Sequence, residues 1–107
     1  MMITVQTRGC TLNQANRARM ITQLRLHLGR FSEVISHAEA TFSDENGPKG
    51  GIDKRCRLTI NLSTGLPPVT VQHQSTSMNG ALLNAVHKGK RSIARSIDRR
   101  RKLQRFA

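Results

Sequence analysis

The sequence predicts an α+β fold in which four strands form a mainly antiparallel sheet and two helices pack on one of its faces, in the order β-α-β-β-β-α. Three observations lead to this prediction. Two long segments repeat apolar residues at helical spacing, four short segments alternate apolar and polar residues, and the alternating segments are polar on one side. A chain of 107 residues suits a single domain, residues 1–107, with a modest core.

The first strand is followed directly by the first helix. Ile3 and Val5 alternate with polar residues, which predicts a short strand with one apolar face. From about residue 13 to residue 31 the spacing becomes helical, and Asn13 is a suitable N-cap. The apolar face of this helix comprises Met20, Ile21, Leu24, Leu28 and Phe31. Away from that face lie Arg19, Gln23 and Arg30.

Three more strands fill the middle of the chain. The side of the second strand that is apolar or small comprises Val34, Ser36, Ala38, Ala40 and Phe42. The third strand has the clearest alternation, and its apolar side comprises Cys56, Leu58, Ile60 and Leu62. Residues 65–68, Gly-Leu-Pro-Pro, end the third strand, and Val69 and Val71 indicate a fourth.

The last helix, from about Ser77 to Gln104, has one apolar and one basic side. Its apolar residues are Met78, Leu82, Ala85, Val86, Gly89, Ile93 and Ile97. At 100° per residue, a sector roughly opposite contains Lys88, Arg91, Arg95, Arg99 and Lys102. The apolar repeat ends at Ile97, so residues from about 98 to 107 are expected to form a basic C-terminal extension beyond the sheet.

Positive charge is concentrated at the two ends of the chain. The formal net charge is +12; residues 1–30 carry five arginines and no acid, and residues 77–107 carry nine basic residues and one acid. If both ends meet in space, they form one basic surface. A solvated face is the ordinary explanation for a run of charge. Here few acids neutralise the repulsion between like charges, which favours a polyanionic partner.

Composition favours RNA over other polyanions, although weakly. The chain has no Trp or Tyr and only three Phe, so its sheet lacks the aromatic side chains of a base-stacking platform. Membrane binding lacks aromatic anchors, and neither a spanning segment nor a signal segment is evident. We therefore expect a soluble cytoplasmic protein whose Lys and Arg residues recognise an RNA backbone.

No catalytic or metal-binding constellation is evident. Cys10 and Cys56 lack metal-ligand spacing and are expected to be buried free thiols. The acidic residues Asp44, Glu45 and Asp53 flank one loop, where cation binding remains an alternative. The loop at 46–51 is predicted to be a glycine-containing hairpin turn rather than a phosphate loop, although contact of Lys49 with a phosphate stays open. We expect no enzyme activity, cofactor, metal or small-molecule substrate.

Residues 44–57, Asp-Glu-Asn-Gly-Pro-Lys-Gly-Gly-Ile-Asp-Lys-Arg-Cys-Arg, together with the order of elements and the basic last helix, resemble the ribosome hibernation-promoting factor and ribosome-associated inhibitor A family. The resemblance covers roughly residues 2–105. It implies a fold similar to double-stranded RNA-binding domains. It also implies a stress or stationary-phase factor that binds 16S rRNA of the small ribosomal subunit, blocks the mRNA and tRNA channel at the decoding region, and inhibits translation without catalysis.

The resemblance also implies which residues contact RNA. Basic positions of the family's last helix match Lys88, Arg91 and Arg95, and the arginine that opens its first helix matches Arg17. With the pattern above, the predicted RNA-binding residues are Arg17, Arg19, Arg30, Lys88, Arg91, Arg95, Arg99 and Lys102. The sequence departs from the family at Asn79, where an aromatic residue is usual.

The longer members of the family carry a C-terminal dimerisation domain that has no counterpart in these 107 residues. We therefore expect a monomer off the ribosome and no ribosome pairing through such a domain. Two rival functions remain at this point. One is a general nucleic-acid-binding or nucleoid-like protein, and the other is a small RNA-processing enzyme.

Overall fold

The computed structural model describes residues 1–44, 54–63 and 65–105. Its elements are β1 (Met2–Arg8), α1 (Gln14–Leu28), β2 (Ile35–Asp44), β3 (Lys54–Leu62), β4 (Val69–Ser75) and α2 (Met78–Arg105). A short 3₁₀ turn, Gly29–Phe31, continues α1. The order predicted from the sequence is therefore confirmed, and with it the α+β class.

The four strands form one mixed sheet in the order β1-β2-β3-β4. β1 runs parallel to β2, because α1 carries the chain back across the sheet between them. The β2–β3 and β3–β4 pairs are antiparallel, so two of the three pairings confirm a mainly antiparallel sheet. Both helices pack on one face, with α1 against β1 and α2 against β3 and β4.

The core lies between the sheet and the two helices. Its largest fully buried side chains include Leu24, Leu28, Phe42, Leu58, Ile60, Leu82 and Ile93. The apolar sides predicted for α1, β3 and α2 supply these residues, so each element buries the side that its periodicity indicated. Ile21, Leu62 and Ile97 pack against the margin of this core and are only half-buried.

The prediction for β2 is wrong at its first residues. A β-bulge interrupts the register there, with Ile35 paired to Leu62 and His37 paired to Asn61. Because the extra residue reverses the alternation, Ile35 is buried while Ser36 is exposed. The hydroxyl of Ser36 donates instead to the carbonyl oxygen of Asn61 at 3.0 Å. From Ala38 onward the predicted face is correct.

Both helices begin with side-chain caps. Oδ1 of Asn13 accepts a hydrogen bond from the backbone nitrogen of Asn16 at 2.8 Å, which confirms Asn13 as an N-cap. At α2, Oγ of Ser77 accepts from the backbone nitrogen of Gly80 at 3.0 Å. These bonds satisfy amide groups that have no partner within their own helix.

The last helix is continuous through residue 105. Its final turns lie beside the connection between β3 and β4, where a Cβ at Gly65 would be 3.5 Å from Nη2 of Arg100. Arg100 is accordingly half-buried, whereas Arg101 and Lys102 are exposed. The glycine loop at 46–51, including Lys49, lies outside the described residues. No helix in the described part of the chain is long and apolar enough to cross a membrane.

Candidate nucleic-acid interface

The two helices bring both basic ends of the chain into one layer. α1 and α2 lie side by side, and the rings of His27 and His87 meet with their centroids 6.3 Å apart at an interplanar angle of 60°. The basic residues of α1 and those of α2 therefore share the helix side of the sheet, whereas Arg8 lies on β1. A polyanion on this side meets arginines from both segments.

Between α2 and the 3₁₀ turn that continues α1 runs a groove, here called the interhelical groove. One part of it, of about 410 Å³, is lined by Arg30, Phe31, His87, Lys90, Arg91 and Ala94. It continues as a second depression of about 530 Å³ that shares Arg30, Phe31 and Ala94 and adds Arg95 and Arg101. Two acids, Glu33 and Asp98, border this second part. Basic side chains outnumber them along the whole groove.

Arg30 is held in place at the groove by an aromatic ring. The guanidinium carbon of Arg30 lies 4.7 Å from the centroid of the Phe31 ring. Phe31 itself is buried in the core, so the ring is a fixed support for the cation. An arginine held in this way loses less conformational freedom when it binds an anion than a freely moving one.

Three of the predicted residues line the interhelical groove together, namely Arg30, Arg91 and Arg95. The sequence did not indicate Lys90, Arg101 or His87, which lie on the flank of α2 that faces α1. The periodicity of α2 alone separates an apolar side from a basic side. Which flank of α2 becomes a groove wall depends on where α1 packs. The sequence of α2 does not indicate that position.

Arg17 makes a structural contact. Its guanidinium Nη1 donates a hydrogen bond to the carbonyl oxygen of Val5. Val5 belongs to β1, the edge strand beside α1, so this bond ties the start of the helix to the sheet. Arg19, two residues further along α1, is exposed. The two arginines therefore differ in surroundings, although both are predicted RNA-binding residues.

The remaining predicted residues on α2 lie away from the interhelical groove. Nζ of Lys88 donates to the carbonyl oxygen of Gln72 at 3.0 Å, which places the lysine over the edge strand β4. Arg99 lines a mainly apolar depression at the β3–β4 connection. Lys102 is exposed near the end of the helix. The basic sector of α2 is thus divided between the groove, the β4 edge and the helix end.

Acidic side chains and thiols are the other candidate functional groups in the described residues. Within residues 1–44, 54–63 and 65–105, no group of three His, Cys, Asp or Glu side chains could hold a metal ion. Oδ2 of Asp44 is paired with Nζ of Lys54 at 2.5 Å, which occupies one of the three acids considered for a cation. Cys10 and Cys56 are free thiols; Cys56 is buried as expected, whereas the expectation is wrong for Cys10, which is only half-buried. Burial raises the pKa of Cys56 to about 12, which disfavours a reactive thiolate.

A small α+β domain with a groove in which basic side chains predominate has the charge and shape that suit a polyanionic partner. Residues 3–101 match the family described as Sigma 54 modulation protein / S30EA ribosomal protein, and the chain belongs to this family. The resemblance to ribosome hibernation factors is thereby confirmed. The protein is a ribosome-associated factor of the cytoplasm that acts in ribosome hibernation and in the regulation of translation.

Solved structures share the fold. A ribosomal subunit interface protein from Coxiella burnetii is 17% identical and has a TM-score of 0.72, with 89% of this chain and 96% of that chain covered. The N-terminal domain of Protein Y from Thermus thermophilus is 21% identical, with a TM-score of 0.69 and coverages of 89% and 98%. Among curated protein sequences, none matches this chain. At such identities the structural likeness concerns the fold alone.

Proposed function

We propose that this protein inhibits translation by binding 16S rRNA of the small ribosomal subunit and filling the channel that mRNA and tRNA occupy at the decoding region. The observation that carries the proposal is the interhelical groove, where Arg30 from one end of the chain meets Arg91 and Arg95 from the other. The family relationship supplies the ribosome as the partner.

The groove suits a phosphate backbone rather than stacked bases. Its cationic groups are guanidinium and ammonium donors, which match phosphate oxygens in charge and geometry. Phe31 at its wall is buried and supports Arg30, so it offers no exposed ring for a base, which leaves the imidazole of His87 as the exposed ring among the lining residues. Binding through such contacts releases counterions and weakens steeply with added salt.

Inhibition would follow from occupancy alone. A domain with principal-axis extents of 54, 23 and 17 Å excludes mRNA and tRNA from the space that it fills. No bond is made or broken in this mechanism, and we propose that the protein is not an enzyme. We further propose that residues 1–107 act as one ribosome-binding domain, monomeric off the ribosome, with the basic residues from about 98 to 107 as its extension.

Competition for the small subunit tests this function. Increasing protein should displace mRNA and initiator tRNA from purified small subunits and should lower initiation on a natural mRNA in a purified translation system. A variant with Arg91→Glu and Arg95→Glu should lose both effects together. Undiminished mRNA and tRNA binding at saturating protein would overturn occlusion. If duplex DNA competes for the protein as strongly as small subunits do, a general nucleic-acid-binding protein would be favoured.

A further inference from the structure

The face of the sheet opposite the helices carries a second basic surface. In the described part of the chain no element packs on it. Cross-strand pairing places Arg8, Ser43, Arg55 and Gln74 in one row and Gln6, Thr41, Arg57 and Gln72 in the next. All of these residues except Gln74 line a shallow depression of about 560 Å³, here called the open-face depression.

Charge on this surface has one predominant sign. Arg8, Arg55 and Arg57 line the open-face depression, and Glu39 is the acid among its lining residues. Arg8 and Arg57 are exposed, and neither has an ion-pair partner among residues 1–44, 54–63 and 65–105. Strand geometry puts Arg55 and Arg57 ~7 Å apart along β3, and it puts Arg8 ~10 Å from Arg55, on the other side of β2. An anion in the depression would be attracted by the two exposed arginines, Arg8 and Arg57.

The chemistry of the surface identifies its occupant. Arginine side chains form paired hydrogen bonds to phosphate, and the neighbouring Gln6, Thr41 and Gln72 offer donors and acceptors for sugars and base edges. An apolar partner finds no apolar side chain around this depression, and a base finds no ring on which to stack. A phosphodiester backbone satisfies these groups in both charge and hydrogen bonding.

We propose that the open-face depression is a second RNA-binding surface, which holds a backbone segment different from the one in the interhelical groove. The domain would then lie between two RNA segments, one on the helix side and one on the sheet side. The inference rests on the proposed function, since both segments would belong to the small subunit. It also accounts for Arg8 on β1 and Arg57 on β3, which the helix-side interface does not use.

A matched pair of charge reversals tests the surface. Arg57→Glu alters the open-face depression, whereas Arg25→Glu alters an exposed arginine of α1 that lines neither surface. Each changes the net charge by two units. We expect Arg57→Glu to weaken binding to small subunits roughly tenfold more than Arg25→Glu does, which corresponds to one charge-assisted contact. The salt slope should also fall by about 1 for that contact.

Arg8→Glu, on the edge strand β1, is the second variant should Arg57→Glu fail to fold. Circular dichroism and thermal melting decide which variants are folded. If folded Arg57→Glu and Arg8→Glu both bind small subunits as tightly as Arg25→Glu does, the open-face depression is not an RNA-binding surface. The proposed function would then still stand. If the unaltered protein fails to bind small subunits at all, the proposed function and this inference fall together.

A cross-link identifies the occupant directly. Gln72→Cys in a Cys10→Ser chain presents one accessible thiol in the open-face depression, because Cys56 is buried. After labelling with a maleimide-benzophenone and binding to small subunits, irradiation should join this position to ribosomal RNA. Cross-linking to a ribosomal protein or to a second copy of this chain, in place of RNA, would overturn the proposal.

Discussion

Gly89 of α2 lies against Ile60 of β3 so closely that a Cβ at Gly89 would be 3.1 Å from Cδ1 of Ile60. The same Cβ would be 3.4 Å from Cδ2 of Leu58, and all three residues are buried. The missing side chain lets the helix approach the sheet at this crossing. Because Arg91 and Arg95 follow on the same helix, the crossing also determines how the basic side is presented at the interhelical groove.

We expect Gly89→Leu to lower the free energy of unfolding by ~2 kcal/mol, because a core already filled by Ile60 and Leu58 must shift. Gly29→Leu is the control, since a Cβ there has no atom within 4 Å. Urea denaturation measures both variants. Folded Gly89→Leu should also bind small subunits more weakly. Equal stability losses for the two variants would contradict a requirement for glycine at this crossing.

Arg17 and Arg19 should separate structure from binding. Arg17→Ala removes the donor to the carbonyl oxygen of Val5 and should lower the free energy of unfolding by about 1 kcal/mol. Arg19→Ala alters an exposed residue and should leave stability within about 0.5 kcal/mol while it weakens RNA binding. Thermal melting and a small-subunit titration on the same samples give both values. An Arg17→Ala protein as stable as the unaltered one would argue against the structural contact.

The two thiols should differ in reactivity. Burial raises the pKa of the Cys56 thiol from 9.0 to about 12, whereas Cys10 is only partly buried. Between pH 9.0 and about 12 the Cys56 thiol ionises in the unfolded chain but not in the folded protein. The contribution of this thiol to stability is therefore complete below pH 9.0 and is lost as the pH approaches 12. At pH 8, alkylation followed by mass spectrometry should show one label in folded protein and two in urea. Fast double labelling of folded protein would show that Cys56 is accessible.

Much of the fold is predictable because it follows from periodicity. Alternation in β3 and helical spacing in α2 each indicate the side that is buried, and Asn13 is a cap that can be read from its residue type. The β2 bulge is not predictable in this way. Ile35 and Ser36 fit either phase of the alternation, and only pairing with β3 places the extra residue.

The site is predictable in charge but not in arrangement. Clustered arginines at both ends of the chain indicate a basic surface, yet the distances between helices that create the interhelical groove depend on tertiary packing. Lys88 shows that helical periodicity does not predict this arrangement. Its helical angle groups it with Arg95, but its ammonium group donates to the carbonyl oxygen of Gln72. The open face likewise requires the register of all four strands before Arg8 and Arg57 are seen on one surface.

The residues of the basic sector of α2 should contribute unequally to binding. Arg91→Glu with Arg95→Glu changes two residues that line the interhelical groove beside Arg30, whose guanidinium lies over the Phe31 ring. Arg99→Glu with Lys102→Glu changes two residues of the same sector outside the groove. Both pairs alter the net charge by four units, so long-range attraction alone predicts equal losses.

We expect the groove pair to weaken small-subunit binding at least about tenfold more than the outer pair, because its charges are presented by packed parts of α2 and lose less freedom on binding. Titrations at two or more salt concentrations measure this difference, with circular dichroism to confirm folding. The salt slope should decrease for each phosphate contact removed, and more for the groove pair. Equal affinities for the two double variants would mean that the basic side of α2 acts as a diffuse charge, and the interhelical groove would then have no special role in holding RNA.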